Sequence, residues 1–153
     1  MFPGLVIGSP PRSEALCSRT VSDDESLLAA NAAFYQAMNR RDAAGMDELW
    51  AQQTQVACIH PGWHALMGRE EVMESWRAIL ENPETPRIRC ADPRAHFVGT
   101  AAFVICLETI GQNTLIATNV FVRESGRWRL VHHHAAPTSP RRSAPKPPSR
   151  DLN

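Results

Sequence analysis

The stretch from Thr114 to Ala136 constrains the fold of this chain more than any other. Its first half is rich in β-branched and aromatic residues, Ser125 and Gly126 follow, and the second half reads RWRLVHHHAA. Residues of this kind on either side of a Ser-Gly turn predict two long antiparallel strands joined as a hairpin. A hairpin of this length needs a surface to cover one of its faces, so we expect the upstream chain to supply that cover.

The residues before the hairpin predict three helices and one short strand. Apolar residues at helical spacing indicate a first helix that runs to about Arg40, and Asp42 is expected to cap a second, shorter helix. A third helix is predicted between Gly68 and Asn82, where the apolar residues again form one stripe. Between the second and third helices, the segment 54–60 reads TQVACIH and predicts a strand that ends at a Pro-Gly turn.

Residues 86–111 change from the helical to the extended pattern and predict two more strands before the hairpin. Pro93 lies inside the first of them, which indicates an edge position or a β-bulge, because proline cannot donate a ladder hydrogen bond. The order is therefore helix, helix, strand, helix and four consecutive antiparallel strands. It predicts an α+β fold, in which three N-terminal helices pack on one face of a curved antiparallel sheet.

A chain of 153 residues is long enough for one domain with a real core, and we place that domain at residues 22–137. Residues 1–21 are rich in proline, serine and glycine without a sustained period, so we expect a disordered N-terminal segment. Residues 138–153 combine prolines with basic residues, so we expect a disordered basic tail.

Charge and cysteine usage limit the partners. Lys and Arg balance Asp and Glu over the whole chain, but residues 1–20 carry +1 and residues 137–153 carry +3, so the body carries about −4. A negative body argues against a nucleic-acid-binding face. The four cysteines lack any Cys-x-x-Cys spacing, and no run approaches the length of a membrane span. We therefore expect a cytoplasmic protein that binds neither nucleic acid nor membranes.

Several short motifs together resemble the nuclear transport factor 2-like superfamily, and within it the SnoaL-like and calcium/calmodulin-dependent kinase II association-domain branches. The resemblance covers about residues 22–137 and rests on the Arg41-Asp42 turn, the His60-Pro61-Gly62-Trp63 turn before Gly68-Arg69, the Trp76 helix, the strand Ala117-Thr118-Asn119-Val120-Phe121, and Gly126-x-Trp128-x-x-Val131-His132-x-His134. It implies a cone-shaped half-barrel with a pocket between sheet and helices, and a homodimer joined through the sheets. Members include isomerases, dehydratases, cyclases, transport factors and assembly hubs, so the resemblance leaves the activity open.

Strand alternation selects the candidate catalytic residues. In the last strand, Trp128, Leu130, His132 and His134 fall on one side, and the large apolar members should turn this side toward the helices. We therefore expect His132 and His134 to point into the pocket, either to contact a ligand or as core or rim imidazoles that donate to a backbone carbonyl or a neighbouring carboxylate. Glu108 is a lone acid after an apolar run, and a hydrogen bond from it to either histidine would set the imidazole tautomer.

The remaining candidates are ligand-binding residues. The resemblance places Asn119 at a position where the family has a pocket-lining polar residue. The other candidates are aromatic or imidazole side chains on the helical stripes, on the hairpin or at the mouth of the pocket, namely Tyr35, His60, Trp63, Trp76 and Phe121. Each also has a plainer interpretation as a core or loop-anchoring residue, because aromatic side chains contribute large burial wherever they lie.

Metal and cofactor sites are not expected. His132 and His134 with His60 or His64 could supply three imidazoles. No acid or cysteine follows them at a spacing that is typical of metal ligands. Phosphate-binding glycine loops and a serine nucleophile elbow are also missing from the sequence. The residues thus predict a site that uses side chains alone.

Two functions of different classes fit these patterns. The first is a SnoaL-like protein that binds an unknown small molecule and, if it is an enzyme, performs proton transfer with His132 or His134 as the base, Glu108 as its orienter and Asn119 as donor to an oxyanion. The second is a homodimerisation or assembly module in which the cone merely completes a core. A third possibility is an accessory domain, linked to stress or to a pathway, that has no chemistry of its own.

Overall fold

A computed structural model of the protein describes residues 21–139. Two helices come first in the chain, two short strands and a third helix follow, and four long strands come last: α1 Val21–Arg40, α2 Ala43–Leu49, β1 Ala57–Ile59, β2 Leu66–Met67, α3 Arg69–Glu81, β3 Arg89–Val98, β4 Ala101–Ile110, β5 Asn113–Glu124 and β6 Arg127–Pro137. The expected disorder of residues 1–20 and 140–153 lies outside the described residues. Between residues 21 and 139, no helix has the length and apolar character that crossing a membrane requires.

The predicted α+β fold is confirmed, with one change to the sheet. Strands β3 to β6 form the antiparallel meander that the sequence indicates, within a six-stranded sheet of order β2-β1-β6-β5-β4-β3. The sheet is mixed rather than purely antiparallel, because β1 runs parallel to β6, with Ala57 opposite His132. The two-residue strand β2, which pairs with β1, is too short to show in the sequence pattern.

The helices cover one face of this open, curved sheet. The apolar stripe of α1 is buried there, with Leu27 and Phe34 almost fully inaccessible to solvent, and Trp50 lies in the same core at the end of α2. Asp42 caps α2 as expected, because its side chain accepts a hydrogen bond from the backbone N–H of Gly45. Helices and sheet therefore enclose a common interior, and side chains that point into it are the candidates for function.

Strand β3 bends where Pro93 predicts it. Its register with β4 shifts between Ala91 and Arg94, and Asp92 adopts a left-handed φ of 51°. Two residues of β3 therefore occupy the space of a single pairing step, which is a β-bulge and increases the local twist of an edge strand.

The β5–β6 turn is tied to the start of α1. Arg123 pairs with Asp23 at 2.5 Å and lies over the ring of Trp128, with its guanidinium carbon 4.3 Å from the ring centroid. The indole N–H of Trp128 donates to Ser26 at 3.1 Å. These contacts join the start of α1 to the hairpin.

Glu124, at the end of β5, holds the segment that follows α2. Its carboxylate accepts backbone N–H bonds from Gln52 at 2.9 Å, Gln53 at 3.1 Å and Thr54 at 2.8 Å. Burial alone would raise the pKa of Glu124, but the hydrogen bonds favour the ionised form and lower the pKa to about 2. The ionised carboxylate thus anchors this loop to the sheet.

We expect Glu124→Gln to destabilise the protein by up to about 1 kcal/mol at neutral pH, because it replaces charge-assisted hydrogen bonds to backbone N–H groups with weaker ones at a site where solvent screens the charge. Since the pKa of Glu124 is lower in the folded than in the unfolded chain, its contribution is present above pH ~4.5 and is lost as the pH falls toward ~2. Urea unfolding of both proteins at several pH values measures this. The exposed Glu74→Gln is the control, and an equal difference from wild type at pH ~2 and pH 7 would contradict the assignment.

Candidate functional site

A connected group of polar side chains lies inside the cone. It comprises Asn31 and Tyr35 from α1, Glu108 from β4, Asn119 from β5 and His133 from β6, all less than 5 % exposed. The helical spacing of four residues puts the two α1 side chains on one face, and strand alternation turns Glu108 and Asn119 inward. We call these five residues the interior network.

Asn119 is the centre of the interior network. Its amide nitrogen donates to Asn31 Oδ1 at 2.8 Å and to Tyr35 Oη at 3.1 Å, and its amide oxygen lies 2.6 Å from His133 Nδ1. Because the Asn119 oxygen can only accept, His133 must donate from Nδ1. The neutral imidazole therefore carries its proton on Nδ1 and keeps the lone pair on Nε2, which makes Nε2 the basic atom of the interior network.

The structure corrects the predicted direction of His132 and His134. Phe121 pairs with Leu130, but its neighbour Val120 pairs with His132, so Val131 is an extra residue in β6. A bulge of one residue reverses the face of every side chain beyond it. His133 is consequently buried beside Leu130, whereas His132 and His134 lie on the other face of the sheet, and the expectation that they point inward is wrong.

The hydrogen bond considered between Glu108 and one of these histidines is not formed. Tyr35 Oη donates to Glu108 Oε1 at 2.8 Å instead, and His132 Nδ1 lies 3.1 Å from the carbonyl oxygen of Ala57 on the neighbouring strand. The sequence indicates Tyr35 only as a ligand-binding candidate, but the structure makes it a hydrogen-bonding partner of Glu108.

Burial keeps the interior network in its neutral forms. Loss of solvation raises the pKa of Glu108, against the hydrogen bond from Tyr35, which lowers it. Loss of solvation lowers the pKa of His133 to about 3, with smaller effects from His60, His132 and His134. Burial also raises the pKa of Tyr35, and the negative charge of Glu108 adds to that shift. A buried group in which an acid and a base are both uncharged can exchange protons with a neutral ligand.

His60, Trp63 and Trp76 come together next to this network. The His60 ring is 4.9 Å from the Trp63 ring and 4.7 Å from the Trp76 ring, and Trp76 is 5.8 Å from His133. His60 Nε2 is 3.0 Å from Ser75 Oγ, and burial lowers the pKa of His60 to about 4. Trp63 is 49 % exposed, so the three rings lead from the surface to His133. Phe121, by contrast, is a fully buried core residue on the same strand face as Asn119.

Trp76 also provides a donor that no protein group uses. Its indole Nε1 is buried and has no hydrogen-bond partner among residues 21–139, and the same is true of Trp50, whose ring is 6.5 Å away. An unpaired buried N–H costs about 1–3 kcal/mol. Such a donor, beside His60 and His133, suits the acceptor oxygen of a ligand.

The imidazoles considered as metal ligands do not converge. His60 lies inside the cone, His132 and His134 lie on the other face of the sheet, and the exposed His64 is 3.9 Å from Glu71. No three His, Cys, Asp or Glu side chains are grouped for metal binding within the described part of the chain.

A cavity of about 600 Å³ opens at the end of the sheet where β4 turns into β5. Its lining is free of charged side chains and consists of Pro61, Ile110, Gln112, Asn113, Thr114, Leu115, Pro137 and Thr138. Leu115 is directly opposite Glu108 in the sheet, and both are buried. Leu115 therefore both lines the cavity and is the cross-strand neighbour of the acid of the interior network.

Two members of the network could not be chosen from strand alternation. His133 is hidden by the bulge at Val131, which leaves no mark in the sequence. Asn31 does leave a signal, because it is a polar residue in the buried stripe of α1, one helical turn before Tyr35.

Comparison with known proteins identifies the family. Residues 27–140 match the SnoaL-like domain. The chain belongs to the SnoaL-like family. Among solved structures, this SnoaL-like chain is 35 % identical to a proposed dehydratase of the nuclear transport factor 2-like family from Streptomyces avermitilis, with a TM-score of 0.70 over 78 % of this chain and 98 % of the other. The predicted superfamily is thereby confirmed.

Two further relatives are described in different terms. A proposed calcium/calmodulin-dependent protein kinase type II association domain from Thiobacillus denitrificans is 32 % identical, with a TM-score of 0.65 over 73 % of this chain and 94 % of the other. The F-box protein SKIP8 of Arabidopsis thaliana is 26 % identical over 72 % of this chain. The chain spans about half the length of that curated relative, 49 %.

Proposed function

We propose that this SnoaL-like protein binds an uncharged, largely apolar molecule that carries oxygen, and catalyses a proton transfer on it of the dehydratase or isomerase type. The observation that carries the proposal is the interior network, in which Asn119 and Tyr35 hold a neutral imidazole and a carboxyl group of raised pKa in one buried group. The relative from Streptomyces avermitilis, described as a proposed dehydratase, supports the same class of reaction.

In this proposal His133 Nε2 is the base and Glu108, in its protonated form, is the acid. A dehydration removes a proton from the carbon beside a carbonyl group and protonates the hydroxyl group that leaves as water. An imidazole with a pKa of about 3 is a weak base, but a concerted transfer leaves imidazolium and carboxylate together and the net charge of the interior unchanged. That pairing avoids the cost of an isolated buried charge.

Asn119 acts as a positioning residue rather than as the oxyanion donor expected from the sequence. Both of its amide hydrogens are already donated, to Asn31 and to Tyr35. The unpaired indole N–H of Trp76 is the donor that we propose for the carbonyl oxygen of the substrate, because it lies between His60 and His133 and has no other described acceptor.

The cavity beside Leu115 is the proposed entrance. Its uncharged lining suits a neutral substrate, and a volume of about 600 Å³ is in the usual range for small-molecule sites. Leu115 lines the cavity and is paired with Glu108 on the adjacent strand, so we expect the side chain at this position to control whether a substrate reaches the acid.

The experiment uses the aldol of benzaldehyde and acetone, a neutral β-hydroxy ketone, and follows the ultraviolet absorbance of the conjugated enone formed on loss of water. We expect turnover by the wild type, and a loss of at least about tenfold in Leu115→Trp, because the larger ring fills the entrance. Val98→Trp, on a side chain that is 63 % exposed, is the matched control and should keep wild-type turnover. Failure of the wild type to dehydrate or bind this ketone, or equal turnover by Leu115→Trp, would remove the proposal.

A second proposed function is a non-catalytic homodimer joined through the sheet. The face of the sheet opposite the helices carries exposed apolar residues such as Ile116, which is 42 % exposed, and the Thiobacillus denitrificans relative is described as an association domain. A protein with this function alone would show no turnover and would tolerate Leu115→Trp, so the same experiment separates the two functions.

A further inference from the structure

The face of the sheet that turns away from the helices, which we call the outer face, has an uncharged centre. Every second side chain from Ala101 to Thr109 on β4 and from Ile116 to Val122 on β5 points outward, is partly exposed and carries no charge. The solvated face of an antiparallel sheet normally carries polar residues. Strands β3 to β6, about 4.8 Å apart and about nine residues long, give this face roughly 550 Å² per copy. Two copies would bury about 1,100 Å², which reaches the size of a specific interface.

His132 and His134 lie side by side at the border of this uncharged centre. They are two residues apart on β6, where His132 is opposite Val120 and His134 is opposite Thr118. Their ring centroids are 6.3 Å apart. Because zinc–nitrogen bonds are about 2.0–2.1 Å long, two imidazoles that share one ion have ring centroids about 5–6 Å apart. A small rotation of the exposed His134 side chain therefore brings the pair within chelating distance.

The tautomer of His132 suits a metal ligand. Its Nδ1 is 3.1 Å from the carbonyl oxygen of Ala57, which can only accept, so Nδ1 carries the proton and Nε2 keeps the lone pair. A metal-binding histidine usually donates its other ring N–H to a group of this kind, which fixes the orientation of the ring. Burial also lowers the pKa of His132, so at neutral pH the imidazole is uncharged, as a metal ligand must be.

One chain supplies only half of a metal site. No three His, Cys, Asp or Glu side chains are grouped for metal binding among residues 21–139, and zinc takes four ligands in a tetrahedron. The neighbours of the pair on the adjoining strands are Ala57, Ile59, Thr118 and Val120, which are uncharged and do not repel a cation. Residues near the axis of a two-fold interface meet the same residues of the other copy, so a second copy can supply two more imidazoles.

We propose that His132 and His134 from two copies of the chain bind one divalent transition-metal ion of the zinc type, and that this ion links the copies through their outer faces. The inference rests on the second proposed function, the homodimer, and adds the ligand that stabilises it. A second copy fits this face better than an unrelated protein, because it brings the missing pair of imidazoles in matching symmetry. An ion that binds the dimer more tightly than the monomer shifts the equilibrium toward the dimer by mass action.

The test uses the full chain without a histidine tag, freed of metal with EDTA and then dialysed. Light scattering gives the Kd of the dimer with and without zinc chloride, and titration calorimetry gives the zinc stoichiometry. We expect one zinc ion per two chains and a decrease in the dimer Kd of at least about tenfold, which EDTA reverses. A dimer that zinc does not tighten, or one zinc ion per chain without a change in mass, would overturn the metal site alone. A chain that stays monomeric with and without zinc would overturn the homodimer as well.

Histidine variants assign the ligands. We expect His134→Asn and His132→Asn each to abolish the effect of zinc on the dimer Kd, because each removes two of the four imidazoles from the shared site. The matched controls are His64→Asn, at a side chain that is 80 % exposed, and His96→Asn, at an outer-face ring that stacks on Phe103. Both controls should respond to zinc as the wild type does. A full response in His134→Asn, or loss of the response in either control, would contradict the proposed ligands.

Discussion

Replacing His133 with Asn should lower turnover of the β-hydroxy ketone by about 10²–10⁴-fold. The asparagine amide N–H can occupy the place of His133 Nδ1 and keep the hydrogen bond to the Asn119 oxygen, but nothing replaces the basic lone pair on Nε2. Thermal unfolding and steady-state kinetics of the purified variant measure stability and turnover separately. Unchanged thermal stability together with lost turnover would indicate that His133 acts as a base.

The matched controls are the neighbours on either side. His132→Asn and His134→Asn change the same side chain on the outer face of the sheet, so we expect each to retain turnover within about threefold of wild type. This reverses the expectation from strand alternation, which assigned the base to these two residues. Loss of turnover in His134→Asn with normal turnover in His133→Asn would show that the outer face carries the function.

Replacing Glu108 with Gln should have an effect of similar size on turnover, about 10²–10⁴-fold, because glutamine has the shape of the protonated acid but cannot give up a proton on this timescale. The same substitution should make the fold more stable, although it lowers turnover. The pKa of Glu108 is raised by burial, so the folded chain holds its proton at a pH where the unfolded chain has lost it. The stability of the wild type therefore falls as the pH rises above ~4.5, and the variant escapes that loss.

We expect Glu108→Gln to unfold at a higher temperature than wild type at pH ~8 and at nearly the same temperature at pH ~4. Calorimetry over this range, beside kinetics with the β-hydroxy ketone, provides both readouts. Glu74→Gln, an exposed carboxylate on α3, controls for the general loss of a negative charge. A variant that is less stable than wild type at pH ~8 would show that the Glu108 carboxylate is favoured in its ionised form, and the proposed acid would be lost.

The architecture follows from the sequence because its signals are local. The α1 stripe, the Asp42 cap, the Pro93 bulge and the hairpin turn at Ser125-Gly126 each depend on residues close in the chain. Helix periodicity and turn chemistry act over a few residues, so a single sequence reports them. The parallel pairing of β1 with β6 joins residues 75 positions apart, such as Ala57 and His132. No local sequence pattern predicts this pairing.

The candidate site was predicted in part because strand alternation holds only until a bulge. On β4 and β5, which pair without an offset, Glu108 and Asn119 point inward as expected. On β6 the extra residue Val131 moves the inward position from His132 to His133. Because three histidines are consecutive in β6, every register places an imidazole inside, and the sequence does not show which one.

The hydrogen-bonding roles could not be predicted, because they depend on which side chains meet across elements. Tyr35 forms hydrogen bonds with both Glu108 and Asn119 because the packing of α1 against the sheet brings its hydroxyl group within reach of both side chains. The sequence shows one tyrosine on an apolar stripe, for which a core position is the ordinary outcome.

Nitrogen-15 NMR of the histidine side chains tests the inward position of His133 most directly. The imidazole signal that disappears in His133→Asn should belong to a neutral ring with its proton on Nδ1, and it should not titrate between pH ~5 and ~8, since the pKa of His133 is lowered to about 3. If that signal instead titrates within this range, or carries its proton on Nε2, then His133 is not buried against Asn119. The bulge at Val131 and the proposed base would then both be wrong.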